Sequence, residues 1–451
     1  MLLGIRVLRK QQKLLYPIAS NSAERWMSSN APLTYKETKV LSFGDGSHGA
    51  LGLPSSVTGH ASDAYEPTPV PGLPSDITRI SSGHYHSLAI TSRGELWTWG
   101  RDQEAQLGRG LVSPRNTWDE AKRVEGLNDI HVVHASASGV VSAAIADDHS
   151  LWVWGKSKRG QLGLGKGITE AFTPTRVEAF SGEKIVQVSF GWGHALALTQ
   201  DNKLYGWGYS ADGRLGKMAA RAIQQSLLDS SVDLIKANQK LQTPVSETAE
   251  SLVLEGMRKE DDMPIIWDPC LLEEFHGTEV ENIACGLDHS LVHCVNGTLL
   301  SSGSNVYGQL GRANHEMGFF PVDISFTPLN ISAGLGHSLA SVVSAGLRDT
   351  SYFSWGWNQS SQLGRTGPEN IPCEIEGFAE ERPFRVCGGR VHSLALTMEG
   401  GVWVWGCGRN GRLGLGSCVD ETEPVLLDNL GDGEVLEAVC GFDHSLVLIT
   451  K

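Results

Sequence analysis

Six histidines of this chain stand in one recurring setting, and histidine is the side chain that most readily carries protons near neutral pH. His86, His194, His289, His337, His392 and His444 each follow a glycine by three positions, and all but His194 precede a serine. An imidazole beside a hydroxyl could serve general-base or nucleophilic chemistry. The repetition argues against that use, because a catalytic centre needs one imidazole in one place. The expectation is therefore structural: buried imidazoles that hydrogen-bond backbone within their own repeat. Trp97, Trp99, Trp152, Trp154, Trp403 and Trp405 alternate within short runs, and Trp207 and Trp355 share their phase. These large rings are expected to supply core area. No Ser/His/Asp set or carboxylate pair stands outside the repeat pattern. Gly163-Leu164-Gly165 lacks the following helix and lysine of a phosphate cradle. The 8 cysteines include no Cys-x-x-Cys and no zinc or disulfide spacing. Cys285, Cys387 and Cys440 recur in phase and read as small core residues in a reducing compartment. No catalytic residue, cofactor or metal ligand is assigned, and an enzyme is not expected.

The elements that position these residues are hairpins. In His392–Gly416 an alternating apolar strand meets a turn at Glu399-Gly400-Gly401, and a second strand ends at Trp405-Gly406. The closing glycine recurs as Gly44, Gly100, Gly155, Gly208, Gly303, Gly356 and Gly406. The Gly-x-x-His signature keeps the same phase, with a degenerate copy at Ser138–Ile145 that has lost its histidine. A third signature, Gln/Arg-Leu-Gly, follows each later glycine, as in Gln106-Leu107-Gly108 and Arg412-Leu413-Gly414. A period of about 50 residues marks a propeller, solenoid or array. Each period has room for four short strands, which is one propeller blade. The chain starts in the second half of a repeat (Lys39–Gly52) and stops in the first half (Glu434–Lys451). Joined, the halves complete one blade and leave no open edge. The expected fold is all-β: a closed seven-bladed propeller of four-stranded blades over residues 38–451.

These three signatures resemble the repeat of the regulator of chromosome condensation family, from Lys39 to the last residue apart from one insertion. The resemblance implies a seven-bladed propeller with a blade shared by the two ends. It also implies three kinds of function: nucleotide exchange on a small GTPase through a wedge loop, light sensing by tryptophans in Gly-Trp-Arg-His-Thr repeats, and organelle gene expression. Only Gly191-Trp192-Gly193-His194 approaches the light-sensing motif, with Gly193 in place of its arginine.

Residues 1–27 lie outside the repeat. Arg6, Arg9, Lys10, Lys13 and Arg25 face a single acid, Glu24, and leucines intersperse them, which is the composition of an organelle transit peptide. Arg25-Trp26-Met27-Ser28 resembles a mitochondrial processing site, with cleavage expected near Met27 and Ser28. No apolar run is long enough to span a membrane. Without residues 1–27, 32 basic and 50 acidic residues remain. Such an acidic domain has no general attraction to phosphate backbones, so broad nucleic-acid binding is disfavoured.

One stretch breaks the period, Lys217–Trp267. Met218–Leu241 reads as an amphipathic helix and Gln242–Asp262 as a polar, acidic, mobile arm. The expected function is a non-enzymatic scaffold or assembly factor in the mitochondrial matrix. By the resemblance, its partners are proteins of transcript processing, intron splicing or respiratory-complex assembly. The alternative is an exchange factor for an organellar small GTPase, although a helical insertion is unlike a β-wedge.

Overall fold

The computed structural model describes residues 36–54, 63–217, 264–314, 316–343, 350–378 and 381–451. The transit peptide expected at 1–27, and the helix and arm expected between Met218 and Asp262, lie outside the described residues. Seven antiparallel sheets of four strands form the blades of a propeller. In chain order they are blade 1 (77–123), blade 2 (132–176), blade 3 (185–271), blade 4 (280–321), blade 5 (328–375), blade 6 (383–426) and blade 7 (435–450 with 38–69). The second strand of blade 1, His86–Thr91, is buried at every position. A strand packed on both faces reads as a continuous apolar run, and Leu-Ala-Ile or Leu-Ala-Leu recurs there. The fourth strands are far less buried than the second, as in Glu421–Leu426 with one buried residue, and form the outer edges of the blades.

Blade 7 closes the ring. Thr38–Gly44 pairs with His444–Thr450 over the full register Thr38↔Thr450 to Gly44↔His444. The chain ends thus supply two strands each, in the order expected of two half-repeats. First strands of neighbouring blades touch all the way round, including blade 7 to blade 1, so they line the axis. Their axial side chains are polar and cross-linked between blades. Arg385 lies 3.2 Å from Glu437, and Gln187 Nε2 donates to Asn282 Oδ1 at 2.7 Å.

The sheet resumes before the expected end of the insertion. Ile265–Leu271 is the fourth strand of blade 3, with Tyr209 opposite Ile265. Ile265, Ile266 and Trp267 therefore belong to the blade, because β-branched and aromatic residues there complete a sheet edge.

Candidate functional site

The three repeat signatures meet across six of the seven blade boundaries. His337 of blade 5 sends Nε2 to Ser393 Oγ of blade 6, 3.0 Å away. Ser393 Oγ donates in turn to the carbonyl of Gln362 in blade 5, at 2.8 Å. Trp405 Nε1 of blade 6 donates to that same carbonyl at 2.9 Å. The hydroxyl proton is committed to the carbonyl, so the serine oxygen accepts and the imidazole carries its proton on Nε2. The corresponding His–Ser contacts are His86–Ser142, His194–Ser290, His289–Ser338, His392–Ser445 and His444–Ser87, at 2.7–3.0 Å. Trp99, Trp154, Trp207 and Trp355 donate to carbonyls of the preceding blade in the same way, at 2.8–3.0 Å. The glycine that ends the third signature lies on the next blade's indole: a Cβ on Gly364 would come within 2.7 Å of the Trp405 ring.

This corrects one expectation. The imidazoles do not bond backbone within their own blades but reach the hydroxyl of the next blade. Sequence periodicity cannot show this, because the partner lies one full repeat away. Burial lowers the pKa of His86, His289 and His337 to about 3 and that of His444 to about 4. His194 and His392 are also held well below the ordinary value, first by burial and then by nearby arginines. An imidazole locked as a neutral donor is no proton carrier at neutral pH. One boundary lacks the relay: Val141 and Ala195 stand at its histidine and serine positions, between blades 2 and 3.

With the repeated polar groups committed to the boundaries, the irregular residues become conspicuous. The two residues between glycine and histidine form the loops from first to second strand. Antiparallel order puts these loops on the same face as the ends of the third strands and the starts of the fourth. His84 stacks on Phe442 of blade 7 at 4.6 Å and on Trp192 of blade 3 at 5.1 Å. It reaches past blade 2 because Gly139 stands between them. A Cβ there would lie 2.8 Å from His84 Nδ1 and 3.3 Å from the Trp192 ring. Enclosure between the rings pushes the His84 pKa down to about 4.

From Trp192 the strip continues outward. The Arg159 guanidinium lies 5.8 Å from the Trp192 ring and 5.5 Å from Tyr209. Gly193 leaves that space open, since a Cβ would sit 3.1 Å from Arg159 Cδ and from Tyr209 Cβ. Tyr209 ends the third strand of blade 3 at the root of the insertion. Next to it, Ser210 N–H and Oγ each donate to the Pro264 carbonyl at 2.8 Å and tie the two stems together. Arg214 also lies over Tyr209, at 4.9 Å, and pairs with Asp288 at 2.7 Å. At the axial end Arg390 lies over Phe442 at 5.0 Å and pairs with Asp443 at 2.8 Å. The result is a strip of aromatic rings and arginines from the axis to the insertion stem. Such groups are enriched where proteins bind partners. Among the described residues no cluster of three metal-ligating side chains occurs.

The model of the RCC1-like domain matches residues 39–447. The chain belongs to the RCC1-like domain family. It is 27% identical to the ultraviolet-B receptor UVR8 of Arabidopsis thaliana over 387 residues, covering 84% of this chain and 76% of the receptor. It is 26% identical to the mitochondrial RCC1 domain-containing protein RUG3 of the same plant over 402 residues, covering 79% of this chain and 89% of that protein. Among solved structures, Prp20p of Saccharomyces cerevisiae superposes with a TM-score of 0.72 at 22% identity, covering 92% of each chain. In this RCC1-like propeller Gly193 stands beside Trp192, and the guanidinium over the Trp192 ring comes from Arg159 of the neighbouring blade, 5.8 Å away. His84, Phe442, Arg159 and Tyr209 were not singled out by sequence reasoning. Variation between the glycine and histidine of each copy marks His84 and Phe442, and variation between the closing glycine and Gln/Arg-Leu-Gly marks Arg159 and Tyr209.

Proposed function

We propose that the protein is a non-enzymatic interaction propeller of mitochondrial gene expression, holding protein partners of transcript processing or respiratory-complex biogenesis. One observation carries this reading. The repeated His, Ser, Trp and Gln/Arg-Leu-Gly groups are spent on blade boundaries, which leaves the strip Phe442–His84–Trp192–Arg159–Tyr209, ending at the stem of the insertion, as the irregular feature of the described residues. Loops on a rigid scaffold are where function concentrates. Mitochondrial placement is supported by the basic, acid-poor residues 1–27 and by similarity to a relative named as mitochondrial. The acidic balance favours proteins over nucleic acid as direct partners.

The test is recovery of tagged protein from mitochondria, with and without ribonuclease, comparing the wild type with Trp192→Ala/Arg159→Ala and with a Gly/Ser linker in place of 218–262. Loss of the same ribonuclease-resistant proteins from both variants, with melting unchanged for the linker variant, supports the reading. An unchanged partner set in both would sink it. Acceleration of nucleotide release from an organellar GTPase by the purified protein would replace it with the exchange-factor reading.

A further inference from the structure

Cys387 and Cys440 meet across the boundary between blades 6 and 7. Cys387 lies on the axial strand of blade 6 and Cys440 on that of blade 7. Cys440 N–H donates to Cys387 Sγ at 3.0 Å, and Cys440 Sγ donates to the Cys387 carbonyl at 3.3 Å. In the other direction Cys387 Sγ faces the Cys440 carbonyl at 4.0 Å. Both thiols are free, and Cys387 is half-buried while Cys440 is buried. Elsewhere in the ring Ser189 and Ser332 hold the position of Cys387 and accept the same backbone N–H, from Cys285 and Gly388, at 3.0 and 3.1 Å. A serine therefore suffices for the architecture, and the paired thiols add chemistry that the architecture does not need.

We propose that Cys387 and Cys440 form a peroxide-responsive dithiol site whose oxidation staples blade 6 to blade 7. Cys387 is the reacting thiol. It is the more accessible of the two, and the adjoining Cys440, whose N–H donates to its sulfur, holds its pKa below the ordinary thiol value. The thiolate attacks one oxygen of hydrogen peroxide, the O–O bond breaks, and the departing hydroxide takes up the thiol's proton as water. Cys387 is then a sulfenic acid. The Cys440 sulfur, giving up its proton, attacks the Cys387 sulfur; the S–S bond forms, the S–O bond breaks, and a second water leaves. Two thiols lose two electrons and the peroxide gains two. The staple lands on the blade that closes the ring, so oxidation fastens the inner strands contributed by the C-terminal half-repeat.

The full chain is treated with hydrogen peroxide under native conditions, alkylated, and mapped without reduction. The expected result is one cross-linked peptide pair joining Cys387 to Cys440, reversed by dithiothreitol, with a thermal midpoint a few degrees above that of the reduced protein. Cys387→Ser, which keeps the N–H acceptor found at Ser189 and Ser332, should fold, show no cross-link and lose the peroxide-dependent rise. Recovery of both residues as alkylated free thiols after peroxide would overturn the proposal. So would sulfinic acid at Cys387 without a cross-link, or an equal rise in Cys387→Ser.

Discussion

The boundary between blades 2 and 3 differs from the six that carry a histidine, and the difference shows why the repeat has the residues it has. At the six, a Cβ on the first glycine of Gly-x-x-His would lie 2.1–2.6 Å from its own histidine's Cε1. At the exceptional boundary Ser138 holds the glycine position, Val141 the histidine position and Ala195 the serine position of the next blade. The three changes belong together. A serine fits at 138 only because no imidazole fills the space above it, and its Oγ accepts the N–H of Val140 and of Val141. An alanine suffices at 195 only because no Nε2–H needs an acceptor. Val141 and Ala195 pack in one apolar cluster with Trp154 and Trp207. Replacing both partners of a buried hydrogen bond by apolar groups is nearly neutral, whereas removing one is costly. The polar link is moved rather than lost: Gln161 Nε2 donates to the Gly191 carbonyl across this boundary at 3.0 Å.

The largest way to break the comparison is to remove a boundary outright. Deleting residues 435–451 takes both inner strands from blade 7 and exposes edges on its neighbours. Cooperative unfolding should be lost, with aggregation, as followed by circular dichroism and light scattering. A truncated chain that melts as sharply and as high as the intact one would show that this segment does not close the ring.

A smaller break acts on one boundary. His392→Ala leaves Ser445 Oγ without its donor and should cost about 1–3 kcal/mol in denaturant unfolding. Gly389→Ser should cost a similar amount by driving a Cβ into the His392 ring, about 1–3 kcal/mol for overpacking. The combination Gly389→Ser/His392→Val/Ser445→Ala copies the natural exception and should cost less than the sum of its parts, by at least about 0.5 kcal/mol of coupling. Simple additivity would mean that the three residues do not form a unit.

Acid titrates the same difference. The boundary histidines have folded-state pKa values lowered from 6.5 to about 3 for His86, His289 and His337, and to about 4 for His444. The unfolded chain therefore binds more protons below its own pKa. The stability that neutral histidines lend is fully present above about pH 6.5 and is lost as pH falls toward the folded values, at roughly 1.4 kcal/mol per pH unit for each histidine. The thermal midpoint should fall steadily from pH 6.5 to 5, and the triple variant, with one histidine fewer, should fall less steeply. A midpoint flat over that range would contradict burial of these rings as neutral donors.

The sequence disclosed the ring because the ring is periodic. Three signatures in one phase and two complementary half-repeats suffice for blade number, strand order and closure. It did not disclose the partner of any histidine, since His392 and Ser445 stand a whole repeat apart. Nor did it disclose the strip around His84, because stacking of His84 on Trp192 depends on the missing side chain of Gly139, which belongs to neither blade. The end of the insertion was misplaced for a local reason: Ile265-Ile266-Trp267 opens a strand whose period-two pattern is too short to read from one side.

The smallest expected effect sharpens the comparison by erasing it. Ser138→Gly, Val141→His and Ala195→Ser together would give the exceptional boundary the geometry of the other six. Glycine clears the space, the imidazole fills it, and the hydroxyl introduced by Ala195→Ser would accept from the new Nε2–H. That hydroxyl would donate to the Gln161 carbonyl, which already takes Trp207 Nε1–H at 2.8 Å. A carbonyl with two lone pairs accommodates both, as Gln362 does for Ser393 and Trp405. The gain of one relay is offset by the apolar packing lost with Val141, so the net change should stay within about 1 kcal/mol of the wild type. Val141→His alone should instead destabilise by about 1–3 kcal/mol, because Ser138 Cβ would meet the ring and Ala195 offers no acceptor. The measurement is denaturant unfolding of the triple and the single variant side by side. If the triple is no better than the single, the serine and the glycine are not what the histidine needs, and the relay is not the reason the signature repeats.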